Sequence, residues 1–246
     1  MKSKKFHQFV VLEKGPVNTA IVDLLKGDVY QIGNEIVDKF LEGNDKEIPD
    51  FIRMLEEEAL CFDVDPEDWI PYITFEQIKD DSFHIQCEDE SSIPTIQQFF
   101  RDYDYTVSVS VSTPADKDFN RCIGVIKCGC DFGKVNIGSY HFNNYYNSCW
   151  GKKIIVMKDG TIKPCIHSRI TIGNIFKDDL GMMVNQSKEY WKLTKDKVEK
   201  CRDCELRYAC FDCREIAWRK GGKISSSNPF CRYDPYTGHW MDQEET

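Results

Sequence analysis

The N-terminal quarter of the chain alternates short period-two hydrophobic runs with runs of helical spacing. Residues 9–12 (FVVL), 19–25 (TAIVDLL) and 29–32 (VYQI) read as three strands, the last two joined by a Lys26-Gly27-Asp28 turn. Gly33-Asn34 opens a predicted helix with Ile36, Val37, Phe40 and Leu41 on one apolar face, and a second helix is predicted over 48–60 with Phe51, Ile52, Met54 and Leu55 inward. Further on, 72–75 and 82–86 read as strands, 93–102 as a helix and 105–112 (YTVSVSVS) as a strand, with 123–127 and 134–137 as additional strand candidates. In the last third, 153–157 and 161–166 flank Asp159-Gly160, a strong hairpin dipeptide, and 190–198 and 214–220 read as helices.

These elements predict an α+β chain in three parts. Residues 1–65 look like a winged-helix arrangement, short strands followed by small helices. Residues 66–146 form a reduced α/β segment, strands alternating with weak helices, too short for a complete (β/α)8 barrel of ~200 residues or more. Residues 147–246 carry most of the cysteines.

Composition narrows the classes. A hydrophobic content of 41% suffices for an ordinary core, and a net charge of -9 argues against a general nucleic-acid-binding surface. The basic residues between Lys195 and Lys223 leave only a local patch. No apolar run resembles a signal peptide or the ~20-residue stretch of a membrane helix, so a cytoplasmic protein without a membrane partner is expected. Twelve cysteines in a reducing compartment point to metal binding rather than disulfides.

Their spacing is specific. Cys149 is followed by Gly160-x4-Cys165, then by Cys201-x2-Cys204-x5-Cys210-x2-Cys213, and last by Cys231. Thiolates suit iron and zinc because sulfur is polarisable, and a Cys-x2-Cys turn presents two sulfurs to one centre. Two such pairs alone would suit structural zinc; the Gly-x4-Cys element and the late Cys231 favour iron–sulfur, with four thiolates to a [4Fe–4S] cluster.

This pattern resembles the SPASM domain, the auxiliary-cluster module of radical SAM peptide-modifying enzymes, although Cys213 falls one residue earlier than in that family. The resemblance implies two [4Fe–4S] clusters. Cys201, Cys204, Cys210 and Cys231 would hold the second, and Cys149, Cys165 and Cys213 the first, with Cys128, Cys130 or His141 as a possible additional ligand or an iron left open to substrate. The stretches FVVLEKGPVNTAIVDLLKGDVYQIGNEIVDKFL, CRDCELRYACFDCRE and FCRYDPYTGHW are similar to the SPASM protein of grasp-with-spasm cassettes, which implies two partners: a ribosomally made precursor peptide and an ATP-grasp ligase. The radical SAM Cys-x3-Cys-x2-Cys motif is missing from the sequence, and Cys122-x5-Cys128-x-Cys130 does not substitute for it.

The expected function is therefore that of an accessory iron–sulfur protein in ribosomal peptide maturation, with no catalytic residue assigned. The 1–65 part is a candidate precursor-recognition element, adding the peptide as a strand to a sheet edge, with residues 19–25 or the helix after Gly33 lining the groove. The alternatives are a redox-active iron–sulfur protein and a zinc-stapled scaffold. His167 reads either as a tuning group for the cluster or as an ordinary capping histidine. Arg202, Arg207 and Arg214 would offset cluster charge, while Tyr233, Tyr236 and Trp240 would pack the tail.

Overall fold

The computed structural model of the chain describes residues 2–71, 82–101, 105–120, 122 and 135–241. Helices and strands are mixed as an α+β fold. The predicted strands at 72–75 and 123–127 lie outside the described residues.

The N-terminal part consists of β1 (Ser3–Phe6), β2 (Val10–Lys14), β3 (Asn18–Asp23), β4 (Asp28–Gly33), α1 (Asn34–Leu41), α2 (Pro49–Glu57) and β5 (Cys61–Val64). Strands β2, β3 and β4 form an antiparallel sheet, and β1 pairs with β5 from Phe6↔Cys61 to Ser3↔Val64. This three-stranded sheet followed by two short helices is winged-helix-like. In α1 the buried stripe is Val37 and Phe40, an i,i+3 pair, and Ile36 and Leu41 on its flanks are exposed, so the apolar face is narrower than predicted. Helix α2 opens on Pro49, whose fixed φ suits a first turn, and buries Phe51 and Leu55.

Strand β3 is covered on both faces. Ile21 packs with Phe40, Phe51 and Leu55 under the helices. Its neighbours Ala20 and Val22 point the other way, into a core shared with Tyr140, Leu206 and Tyr233, against which Cys204 and Cys231 pack. Period-two alternation thus makes β3 the wall between the N-terminal core and the cysteine-rich part.

A second sheet has the order β10-β9-β8-β6-β7. Here β6 is Phe83–Cys87, β7 is Val107–Val111, β8 is Lys153–Val156, β9 is Thr161–Lys163 and β10 is Gly173–Asn174. Strand β6 runs parallel to both β7 and β8, and α3 (Ile93–Phe100) links β6 to β7 as a βαβ unit. Phe83, Ile85 and Cys87 of β6 enter a core with Ile96 and Phe100 of α3. The intervening His84 and Gln86 line the opposite side, where the thiols lie. The β8–β9 hairpin turns at Gly160 with φ +80°, where an added Cβ would come within 2.5 Å of Phe176.

Two predicted elements are corrected. Residues 135–137 do not form a strand: Asn136 caps α4 (Ile137–Tyr145), accepting a 2.8 Å hydrogen bond from Ser139 N while Asn136 N donates to Ser139 Oγ. The helix expected over 190–198 lies earlier, as α5 (Leu180–Trp191), capped by Asp179, whose Oδ1 accepts from Met182 N at 2.9 Å. Only a single 3-10 turn occupies Lys195–Lys197. Helix α6 (Arg214–Gly221) forms where predicted, and β11 (Tyr233–Asp234) and β12 (His239–Trp240) close the tail.

Candidate metal centres

All ten described cysteines are free thiols. Seven of them are those singled out by spacing, and the fold sorts these into two sets.

The first set opens on a cleft of about 230 Å³. Cys149 follows α4, Cys165 follows the β8–β9 hairpin, and Cys213 is the residue that precedes α6. The thiols of Cys149 and Cys213 share a hydrogen bond; that bond, followed by burial, holds Cys149 protonated well above the ordinary thiol range. The same bond lowers Cys213. The backbone N–H groups of Ile216 and Glu215 also favour the Cys213 thiolate, although no capping hydrogen bond closes at the start of α6. Burial pushes Cys165 up to about 11, against the opposing pull of the His167 backbone N–H and the Trp150 indole.

One side chain positions two of these sulfurs. Asn147 Oδ1 accepts from Cys149 N at 2.9 Å and from Trp150 N at 2.8 Å. Its Nδ2 donates to Asp212 Oδ2 at 2.9 Å, next to Cys213. Asp212 is itself buried in an ion pair with Arg214, whose Nη1 also donates to the carbonyls of Ile224 and Ser226. Burial opposes the charge on Asp212; Arg214, Lys195 and Asn147 outweigh it and hold the carboxyl below its ordinary range.

The second set is Cys201, Cys204, Cys210 and Cys231. Burial raises the pKa of Cys201 and of Cys204, and the charges of Cys210 and Cys231 add to the effect on Cys201. Lys195 Nζ lies 3.0 Å from Cys210 Sγ and 3.3 Å from Phe211 O, in a side chain only 7% exposed.

Both sets fit an iron–sulfur centre by donor chemistry, since their sulfurs are soft ligands for iron. The Nε1 atom of fully buried Trp150 has no hydrogen-bond partner at ordinary distance and faces Cys165, a donor suited to cluster or thiolate sulfur. Lys195 offsets negative charge in the second set. Among the described residues no three His, Cys, Asp or Glu side chains converge closely enough for a single metal ion; in a [4Fe–4S] cluster each thiolate holds a different iron, so such convergence is not required.

Comparison with known families bears on this geometry. The family model SPASM, an iron–sulfur cluster-binding domain, matches residues 149–205. A SPASM domain is found here. The matched stretch contains Cys149, Cys165, Cys201 and Cys204, and Cys210, Cys213 and Cys231 follow it. No curated protein matches the chain. SPASM domains bind iron–sulfur clusters, and the match supports an iron–sulfur-binding role for residues 149–205.

Other expected groups fall as follows. Cys128 and Cys130 lie outside the described residues, and His141, on α4, does not line the first cleft. His167 is tied through Nε2 to Asp116 O at 2.8 Å, and its backbone N–H faces Cys165. The three arginines each lie against a carboxylate. Arg214 is locked to Asp212, Arg207 pairs with Glu13 at 2.6 Å, and exposed Arg202 lies beside Asp203. The cation seated on a sulfur is Lys195. Tyr233 and Trp240 pack ring to ring at 4.9 Å, and Tyr236 Oη donates to Asp203. Asn147, Asp212 and Lys195 carry no spacing signal and are found only through their contacts. Among the described residues no helix is long and apolar enough to cross a membrane.

Proposed function

We propose that the protein is an accessory iron–sulfur protein in the maturation of ribosomally made peptides, holding a precursor peptide and presenting it to an ATP-grasp ligase. The observation that carries this reading is the double covering of β3. The winged-helix-like part is joined to the second thiol set through a common core of Ala20, Val22, Leu206 and Tyr233, with Cys204 and Cys231 against it. Polar ties reinforce the joint. Gln31 Nε2 donates to Glu205 Oε1 at 2.8 Å, Tyr233 Oη donates to the same oxygen, and Asn18 Nδ2 donates to Tyr233 Oη at 3.2 Å. A filled second centre would in this way stiffen the sheet from behind.

Because β3 is central, an added peptide strand cannot pair with it. The outer edges belong to β2 and β4, and among the described residues neither has a further strand beside it. Unpaired N–H and C=O groups on such an edge are what strand addition uses. The reading predicts a short precursor peptide and an ATP-grasp ligase encoded beside this protein, and the test is fluorescence anisotropy with such a peptide together with a pull-down of such a ligase. Saturable binding of the peptide is expected, and it weakens when iron is removed. No affinity for either partner overturns the proposal.

A redox role is the second reading, favoured by Lys195. A buried cation on a cluster ligand stabilises the reduced, more negative state. Centres that cannot be reduced at any accessible potential would exclude it.

A further inference from the structure

The first thiol set, as the SPASM resemblance implies it, has three members, and a [4Fe–4S] cluster has four irons. We infer that Cys122 is the fourth thiolate of the first centre, so that this cluster is fully ligated by protein and presents no open iron to a substrate. The inference rests on the iron–sulfur reading of the SPASM domain.

Cys122 lies far upstream of the matched domain, yet its side chain lines the same cleft as Cys149, Cys165 and Cys213. It packs with Cys213 and Ile216, beside Phe119 and Phe230. The cleft, about 230 Å³ in volume, is roughly an order of magnitude above the ~10–15 Å³ that a single water requires. Four thiols from four separate stretches of chain bordering one void of that size form a built site rather than a chance exposure of one cysteine.

The segment that delivers Cys122 is fastened at one end to the β6–β7 ladder and at the other to His167 of the matched domain. After β7, Ser112 N donates to Cys87 O at 2.7 Å, and Thr113 and Asp116 close a turn in which Thr113 N and Oγ1 each donate to Asp116 Oδ2 at 2.7 Å. His167, two residues beyond Cys165, donates from Nε2 to Asp116 O. A carbonyl can only accept, so Nε2 carries the proton. The Phe119 ring lies 5.0 Å from the His167 ring and 4.5 Å from the Arg219 guanidinium, which in turn donates to His167 O at 2.5 Å. His167 and Arg219 thus clamp the upstream segment so that Cys122 faces the cleft, and His167 acts as a positioning residue rather than a ligand.

Among the described residues a rival for the fourth position is Glu215, which also lines the cleft and whose Oε2 is buried without a hydrogen-bond partner. Its Oε1 is engaged by Arg219 at 2.6 Å and Arg169 at 3.5 Å. Iron–sulfur clusters take thiolate in preference to a carboxylate already neutralised by two guanidinium groups.

The test uses the full chain, purified anaerobically and reconstituted with iron and sulfide. The native chain is expected to hold about eight irons, four to each centre. Cys122→Ala is expected to lose between about one and four of them and, after mild oxidation, to show the EPR signature of a three-iron cluster, while the signal of the second centre is unchanged. Cys122→Ala with full iron content and no three-iron signal overturns the inference, and a loss seen instead in Glu215→Gln assigns the position to the carboxylate. Alkylation of the native chain, read by mass spectrometry, gives a second readout that does not depend on the variant folding. Cys122 is expected to be protected when iron is present and labelled after chelation; equal labelling in both states also overturns the inference. A native chain that holds zinc and no sulfide defeats the iron–sulfur reading itself, an outcome distinct from eight irons with Cys122 unprotected.

Discussion

The ammonium of Lys195 donates a 3.0 Å hydrogen bond to the sulfur of Cys210 from a buried position. Burial opposes its charge; Cys210, Cys201 and Asp212 outweigh burial and hold its pKa above the ordinary lysine value. A unit charge at close range is worth a few kcal/mol at an effective dielectric of about 20, on the order of 100 mV for a one-electron couple. In the loaded protein, Lys195→Met is expected to lower the potential of one centre by that order and leave the other in place. EPR-monitored redox titration reads both, and unchanged potentials would separate Lys195 from the cluster.

Asn147→Ala removes the amide that holds Cys149 through its backbone and Cys213 through Asp212. The buried carboxylate loses a donor, and the N–H groups of Cys149 and Trp150 lose their acceptor. Each buried unsatisfied group costs ~1–3 kcal/mol. A loss of at least about 2 kcal/mol in urea unfolding is expected, with lower iron retention. Asn147→Asp, which keeps the acceptor but sets a carboxylate against Asp212, is expected to do no better.

Gly160→Ala tests the hairpin that carries Cys165. The residue sits at φ +80°, and the new Cβ would meet the Phe176 ring at 2.5 Å. A loss of more than about 1 kcal/mol is expected, and it should appear in the metal-free chain as well, because the strain lies in the turn. A variant as stable as the native chain would show that the turn relaxes freely.

His84 gives a pH dependence of definite sign. Its ring nitrogens lie 2.9 and 2.8 Å from the hydroxyls of Ser108 and Ser110. Burial, then the charge of Lys153, lowers its pKa in the folded chain. The unfolded state, with a histidine pKa of about 6.5, therefore takes up the proton first as pH falls. The stability this provides is present above that value and is lost as pH drops through the lowered folded value. Burial depresses His7 and His141 in the same direction. The urea midpoint is expected to fall between pH 7 and pH 5, and to fall less steeply in His84→Gln. Identical slopes would remove His84 as a contributor.

The parts of the fold legible in the sequence were those whose signal is local. Period-two runs marked β2, β3, β4 and β7, Asp159-Gly160 marked its hairpin, and cysteine spacing marked the seven thiols that the fold then gathers. Helix α4 escaped because IGSYHFNNY has no apolar stripe: it buries only Tyr140 and is held by its Asn136–Ser139 cap. Helix α5 lies earlier than expected because Tyr190, Leu193 and Val198 stand at helical spacing, whereas the Asp179 cap fixes the start and Thr194 is extended. At the candidate site, Cys122, Asn147, Asp212 and Lys195 act across the fold, and no spacing along the chain reports such contacts.

Cys213 belongs to the first set, yet in the chain it stands between Cys210 and Cys231 of the second. Only Phe211 and buried Asp212 separate Cys210 from Cys213, so with both centres filled this strap would have almost no slack. Loss of either centre, by oxygen or by chelation, releases one end of that strap and loosens the grip at the other. A filled centre would then hold in place the stretch of chain that its neighbour needs, so that filling one would favour filling the other.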